Sequence, residues 1–261
     1  MDTRNLIIYY AIKYKSNFES MTRAIMMREP AKPMVVTTAV SEEVDEEKGV
    51  KILTALDSYG YPNYLQNELK PNLVMFYRGC VELLGSQESN IGLILSDDSV
   101  DEFDDDKITK LLMRLIHEGR NLVVLGHQKM REPLFTVISR AILMGVRVIY
   151  VRDAEIMNSD YLMDKVVASK GLIISLFSSA VLESDEETRR MSGEFINKIC
   201  KKVIVGNVNV SDNEKLDLVS SALEMHRSVE GFEIGSESSA NDAIIKSGAI
   251  EPFEDGEGES V

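Results

Sequence analysis

Between residue 50 and about residue 250, short apolar runs alternate with amphipathic segments, and this alternation constrains the fold more than any other feature of the sequence. Several of the apolar runs are continuous, as in strands that are buried on both faces of a parallel sheet. The predicted strands are Lys51–Thr54, Leu73–Arg78, Ile91–Leu95, Asn121–Leu125, Val146–Val151, Gly171–Leu176, Lys202–Gly206 and Val229–Ile234. Strands that alternate with helices predict a doubly wound α/β domain.

The helical segments support the same fold class. In Asp104–Glu118 the apolar residues recur at the spacing of one helix face, and Gly119 follows as a stop signal. The other predicted helices of the domain are Arg140–Met144, Tyr161–Ala168, Glu187–Ile199 and Glu214–Met225. We therefore predict three parts: a small helical N-terminal module (1–49), in which Pro30 and Pro33 end the helical pattern, an α/β domain (50–250) and an acidic disordered tail (251–261).

The charge balance and the motif inventory exclude several classes of function. With 29 Lys and Arg against 43 Asp and Glu, the net charge of −14 disfavours generic adhesion to nucleic acid or to an anionic membrane. No apolar stretch is long enough to span a bilayer and no signal peptide is present, so we predict a cytoplasmic protein without a membrane partner. Phosphate-binding loops, nucleophile motifs and metal-ligand spacings are also absent, which predicts no catalytic residue, no metal, no cofactor and no enzymatic activity.

Two charged features each leave two interpretations open. The acidic segment 96–106, SDDSVDEFDDD, follows a predicted strand and either offers oxygen ligands to a divalent cation or serves helix capping and solubility. The basic residues Lys129, Arg131, Arg189, Arg190 and Lys198 form either a local cationic groove or a solvated helix face.

Two separated blocks of the chain resemble the DprA/Smf family of DNA-processing proteins. The block Ile52–Leu84 resembles the family phrases LDDPDYPxxL and PPxVLFYxGDLxLL, and its matching positions are Asp57, Tyr61, Pro62, Leu65, Phe76, Gly79 and Leu84. A second block resembles ARLALExGRxVFAVPGS…GCNxLIxxGAxLV, and its matching positions are Ala222, Leu223, Glu224, Arg227, Val229, Gly235, Ser236, Asn241, Ile244, Ile245, Gly248 and Ala249. The resemblance covers most of residues 5–255.

The middle of the chain departs from the family pattern. After the strand Ile91–Leu95 the family has Gly-Ser-Arg, whose arginine helps to hold single-stranded DNA, whereas this chain retains Ser96 and places Asp97 at the arginine position. Gly126 matches the family phrase SGxAxGID, and the stretch Arg189–Asn197 lacks the central arginines of FPxRNRIIA.

The resemblance implies a Rossmann-like fold with a mostly parallel sheet and a homodimer that binds single-stranded DNA and loads a RecA-type recombinase in natural transformation or recombination. We expect the DNA contacts to come from Lys129, Arg131, Arg189, Arg190 and Lys198, with Ser96, Gly126, Gly235 and Asn241 as family-motif positions. The alternative is a degenerate paralogue that has lost DNA binding and acts as a protein-interaction or regulatory scaffold. A third hypothesis, an enzyme acting on nucleotides, lacks a glycine-rich phosphate loop.

Overall fold

The computed structural model describes residues 2–44, 49–94, 105–126, 132–156, 167–168 and 170–205, and the structural statements below concern these residues. The predicted strand Val229–Ile234, the predicted helix Glu214–Met225 and the tail 251–261 lie outside them, as does most of the predicted helix Tyr161–Ala168.

The predicted strands that fall within the described residues are present in the predicted order. The helices are α1 (Thr3–Lys13), α2 (Phe18–Met26), α3 (Pro33–Glu42), α4 (Asn63–Gln66), α5 (Asp105–Glu118), α6 (Glu132–Leu143) and α7 (Glu186–Ile199). The strands are β1 (Lys51–Thr54), β2 (Val74–Gly79), β3 (Asn90–Ile94), β4 (Asn121–Gly126), β5 (Val148–Arg152), β6 (Leu172–Ser175) and β7 (Lys202–Val205). Within the described part of the chain, no helix is long and apolar enough to cross a membrane.

The described strands form one mixed sheet of seven strands in the order β1-β2-β6-β5-β4-β3-β7. Strands β3 to β7 are parallel, whereas β1 pairs antiparallel with β2 and β2 pairs antiparallel with β6. The chain runs outward from β3 through β4 and β5 to β6, and then returns through α7 to place β7 on the other side of β3. The predicted fold class, a doubly wound and mostly parallel α/β sheet, is confirmed.

Successive strand residues point to opposite faces, so the sheet carries a separate hydrophobic core on each side. On one face, Leu122 and Val124 pack with α1, α5 and α6. On the other face, Val123 and Ile149 pack with Phe195 and Ile196 of α7. Covering both faces with helices explains why the predicted strands are continuous apolar runs.

The helical N-terminal module packs against the sheet rather than standing apart from it. Ile8 and Tyr10 of α1 are buried in the same core as Phe76 of β2. Arg4 of α1 binds Asp57 through its Nε at 2.8 Å and also donates to the backbone oxygen of Ile52 on the edge strand β1 at 2.9 Å. These contacts cover the outer edge of the sheet at β1, where unpaired backbone groups would otherwise be exposed.

Two sequence predictions of helix boundaries are wrong. Pro33 does not end a helical pattern but begins α3, because the first position of a helix needs no backbone N–H donor. The predicted helix Arg140–Met144 is the last part of the longer helix α6, which begins at Glu132. The adjacent Pro133 resembles a helix breaker in the sequence but lies in the first turn, where proline is tolerated.

Candidate nucleic-acid interface

The carboxyl edge of the parallel strands is where an open α/β sheet of this kind binds ligands. Strands β4, β5 and β6 end there at Gly126, Arg152 and Ser175. The strand order reverses between β3 and β7, so the crevice between helices on opposite faces opens beside these two strands. The segments that follow β3 and β7 contain the predicted positions Ser96, Gly235 and Asn241, and these lie outside the described residues.

Buried polar groups hold the ends of β5 and β6 together at this edge. The Oγ of Ser175 donates to the backbone oxygen of Ala154 at 2.7 Å and accepts from the N–H of Phe177 at 2.9 Å. The N–H of Glu155 donates to the backbone oxygen of Val181 at 3.0 Å. A buried loop with its backbone groups satisfied in this way is a fixed support for the residues that follow it.

The N-terminal module adds a buried carboxylate to the same loop. Glu43, at the end of α3, accepts hydrogen bonds from the N–H of Ser179 at 2.8 Å and from its Oγ at 2.6 Å. Burial raises the pKa of Glu43, and Glu155 and Glu42 act in the same direction, whereas the two hydrogen bonds from Ser179 oppose the shift. Ser16, after α1, donates to the backbone oxygen of Leu176, so the loop between β6 and α7 is held by the module at two points.

Helix α7 begins at the carboxyl edge and brings two of the predicted basic residues there. Asp185 caps the helix by accepting from the N–H of Thr188 at 2.8 Å, and the Thr188 hydroxyl accepts in return from the N–H of Asp185. This capping box fixes the first turn, and Arg189 and Arg190 follow immediately.

Both arginine side chains are about half exposed and each has a carboxylate nearby. Arg189 is 46% exposed, and its Nε lies 3.8 Å from Oδ2 of the fully buried Asp153, which follows β5. Arg190 is 53% exposed and forms an ion pair with Glu194 one helical turn away. The guanidinium groups therefore lie beside acidic partners and still reach solvent.

Lys198, which the sequence groups with the arginines, lies at the opposite end of α7. Eight residues of helix separate it from Arg190, which is about 12 Å along the axis. Its Nζ donates to the backbone oxygen of Lys70 at 2.8 Å, and burial lowers the pKa of this amine. The structure thus places Arg189 and Arg190 side by side at the start of α7, whereas Lys198 lies about two turns further along the helix and is held by the loop before β2. Lys129 and Arg131 lie outside the described residues.

Gly126 is explained by packing at the end of β4. A Cβ atom at this position would overlap the ring of Tyr150, which is buried on the neighbouring strand β5. The backbone oxygen of Gly126 also accepts from the N–H of Asp153 at 3.4 Å. The absence of a side chain at Gly126 therefore allows the Tyr150 ring and the Asp153 backbone to pack directly against the end of β4.

The matching positions of the block Ile52–Leu84 have structural roles. Gly79 has a φ of 93°, and a Cβ there would overlap the backbone oxygens of Gly171 and Ala168. Tyr61 donates to the backbone oxygen of Asn72 at 2.8 Å, and Leu65 and Phe76 are buried in the two cores. This block therefore identifies the fold rather than a binding surface.

Sequence reasoning missed Glu43, Asp153 and Ser175 as parts of the edge. Asp153 and Ser175 follow or end predicted strands, so their position at the carboxyl edge was a signal that could have found them. Glu43 had no such signal, because it lies in an acidic run and reaches the edge through tertiary packing. Among the described residues, no group of three or more His, Cys, Asp or Glu side chains could hold a metal ion.

These features define the class of the molecule as an open, doubly wound α/β protein with two half-exposed arginines near the start of a helix at the carboxyl edge of its sheet. No protein-family model matches the sequence, and no curated protein is similar enough to it to count as a relative.

Two solved structures share the fold. DNA processing protein A (DprA) from Streptococcus pneumoniae matches with a TM-score of 0.56 at 15% sequence identity, over 94% of this chain and 89% of that one. DNA processing protein A from Helicobacter pylori, whose structure was described for its single-stranded DNA binding mode, matches with a TM-score of 0.53 at 13% identity, over 77% of this chain and 89% of that one. The resemblance seen in the sequence is thus confirmed as a likeness of fold.

Proposed function

We propose that this chain is a divergent DprA-type DNA-processing protein that binds single-stranded DNA at the carboxyl edge of its sheet and has no enzymatic activity. The observation that carries the proposal is the pair Arg189 and Arg190, which the first turn of α7 holds at this edge. The fold supports it, because nearly the whole chain matches DprA and one of the matched proteins is described for binding single-stranded DNA.

The surroundings of the arginines predict the character of this binding. Each guanidinium already has a carboxylate partner, Asp153 or Glu194, so a DNA phosphate has to compete with that carboxylate. Glu186 and Glu187 in the first turn of α7 add further negative charge. We therefore expect weak binding that falls steeply with salt, because phosphate contacts release counterions and the rest of the chain repels the strand.

Fluorescence anisotropy with a labelled oligo-dT, measured at low and at physiological salt, tests the proposal. Charge reversal in Arg190→Glu should weaken binding at low salt by about tenfold, or about 1.4 kcal/mol. Lys201→Glu is the matched control, because it makes the same change of charge beyond the other end of α7, where Lys201 pairs with Glu88. An Arg190→Glu protein that binds as tightly as Lys201→Glu would exclude this edge as the DNA site.

Loading of a RecA-type recombinase by a homodimer is the finer part of the proposal. It rests on the family resemblance and is tested separately from DNA binding. Light scattering should give twice the chain mass, and the chain should raise the amount of recombinase bound to oligo-dT coated with single-strand-binding protein. A monomer that binds DNA but leaves recombinase loading unchanged would limit the function to DNA binding.

A second candidate function is that of a regulatory scaffold, which keeps the fold but has lost DNA binding. The specific observation in its favour is that both arginines are already paired with acids of the same chain. The same titration distinguishes the two functions. The scaffold predicts that wild-type protein shows no binding to oligo-dT even at low salt, whereas the first proposal predicts binding that salt removes.

A further inference from the structure

The corner between α2 and α3 (residues 25–35) exposes an apolar surface that the rest of the described chain does not cover. Met26, Met27 and Met34 are 77%, 78% and 80% exposed, and Ile25 and Val35 are also exposed. Large apolar side chains grouped on a protein surface are a common feature of interaction sites. Methionine suits such a surface, because its flexible and polarizable side chain adapts to different partners.

The corner is held rigidly by Glu29, which lies in the turn between the two helices. The backbone oxygen of Glu29 accepts from the hydroxyl of Tyr10 at 2.6 Å, and its carboxylate accepts from Lys13 and Tyr14. Its N–H donates to the backbone oxygen of Ala24 at 2.9 Å. Because α1 is packed on the sheet, these hydrogen bonds anchor the corner that carries the methionines to the core.

Arg28 occupies the end of α2 at a cost in stability. Its φ of 49° lies in the left-handed region, where glycine is relaxed and other residues cost about 1 kcal/mol. Within the described part of the chain, its guanidinium has no hydrogen bond or ion pair to offset that cost. A charged side chain at a position where glycine would be more stable suggests that the charge is needed outside the chain.

The charge around the methionines is opposite to that of the whole molecule. Arg28 and Lys32 lie within residues 25–35, where Glu29, which is paired with Lys13, is the single acidic residue; Arg23 lies just before the corner, near Glu19. A basic island on a chain with a net charge of −14 is complementary to an acidic partner.

We propose that the α2–α3 corner is a docking site for an acidic segment of a partner protein that carries apolar side chains. Single-stranded DNA fits less well, because residues 25–35 contain no aromatic side chain on which bases could stack. An anionic membrane would repel the acidic body of the protein, and symmetric pairing of two corners would bring their like charges together. This proposal does not depend on DNA binding at the carboxyl edge.

Two labelled peptides of about four helical turns test the site by anisotropy. Both carry leucines on one face, and the polar face consists of glutamates in one peptide and of lysines in the other. The glutamate peptide should bind, and the triple variant Met26→Ser, Met27→Ser, Met34→Ser should weaken it about tenfold. Leu143→Ser is the matched control, because Leu143 is equally exposed on α6 and should leave binding unchanged. Thermal melts verify that each variant is folded.

Arg28→Gly separates docking from a structural role. It should raise the melting temperature, because glycine adopts the left-handed φ of this position without strain. It should also weaken binding of the glutamate peptide several-fold. Equal binding of both peptides, binding of neither, or retention of binding by the triple variant would overturn the proposal. Two further results would also overturn it. In one, the triple variant loses only self-association; in the other, the wild type binds phosphatidylglycerol vesicles better than the glutamate peptide and the triple variant loses that vesicle binding.

Discussion

Helix α7 carries basic residues toward both of its ends, and the two ends are built for different purposes. At the carboxyl edge of the sheet, Arg189 and Arg190 are half exposed; Arg189 lies beside Asp153 and donates to Ser184, and Arg190 pairs with Glu194. Further along α7, Lys198 is partly buried and donates to the backbone oxygen of Lys70 in the loop before β2. The same class of side chain is therefore available to a ligand at one end and committed to the fold at the other.

The backbone groups near the amino edge show the same commitment. Gln87 donates to the backbone oxygens of Lys198 and Cys200, at 3.0 and 3.3 Å, and Asn90 donates to that of Ile199 at 2.9 Å. Amide side chains thus satisfy the last carbonyls of α7, which a helix leaves without internal partners. We therefore expect changes to Lys198 and to the packed groups at the amino edge to lower stability without altering DNA affinity, and changes at the carboxyl edge to alter both.

Gly79→Ala at the amino edge should have the largest effect on stability. The left-handed φ and the overlap with the backbone oxygens of Gly171 and Ala168 should together cost about 3 kcal/mol or more of the free energy of unfolding. Urea denaturation measures this loss. The fraction that remains folded should bind oligo-dT with wild-type affinity, and a weakened affinity of that fraction would contradict the separation of the two edges.

Glu43→Ala at the carboxyl edge should cost about 2 kcal/mol, because it leaves both polar groups of Ser179 without their acceptor. It should also weaken oligo-dT binding, since the loop that Glu43 holds leads into α7. A variant that loses stability but keeps full DNA affinity would show that the arginines do not depend on this loop.

Glu43 also predicts a dependence of stability on pH. Because burial raises its pKa in the folded chain, the folded state binds more protons than the unfolded state above the ordinary value of 4.5. Its contribution is therefore largest at low pH and is lost as the pH rises through the raised pKa. Glu43→Gln should remove this dependence in denaturation curves measured across that range, and an unchanged slope would assign it to another group.

Most of the fold could be predicted from the sequence, because its strands are buried on both faces and leave a strong apolar signal. Every described strand lies within two residues of its predicted range. One error concerns a proline, since Pro33 is predicted to end a helical pattern and in fact begins α3. A proline is compatible with either role, and only the following packed turn decides between them.

The candidate site was less predictable, because its members come from distant parts of the chain. Arg189 and Arg190 were predicted as a basic pair, but the roles of Asp153 and Glu43 depend on which loops meet at the carboxyl edge. Lys198 was grouped with the arginines because it shares their helix. Helical spacing alone does not show that one end of α7 meets the loop at Lys70.

Lys198→Met should lower the free energy of unfolding by about 1 kcal/mol, because the apolar stem stays packed while the hydrogen bond to Lys70 is lost. The variant should bind oligo-dT like the wild type. Because burial lowers the pKa of Lys198, the folded state releases this proton at a lower pH than the unfolded chain, and wild-type stability should gain as the pH rises toward 10.5. This gain in stability should be absent in the variant. If the variant instead bound oligo-dT more weakly, Lys198 would belong to the DNA-binding site.

Lys201→Ala should have the smallest effect, and it allows the most direct comparison of the two ends of α7. Lys201 lies just beyond the end of α7, is 39% exposed against 46% for Arg189, and pairs with the exposed Glu88. Exposed pairs of this kind contribute at most about 1 kcal/mol and often nothing measurable, so the urea midpoint should move little and the oligo-dT affinity should not change. Arg189→Ala removes a similarly exposed cation, but one that lies beside a fully buried carboxylate at the carboxyl edge. If the two alanine variants behaved alike in both measurements, exposure alone would govern these side chains and the difference between the two ends of α7 would have no functional meaning.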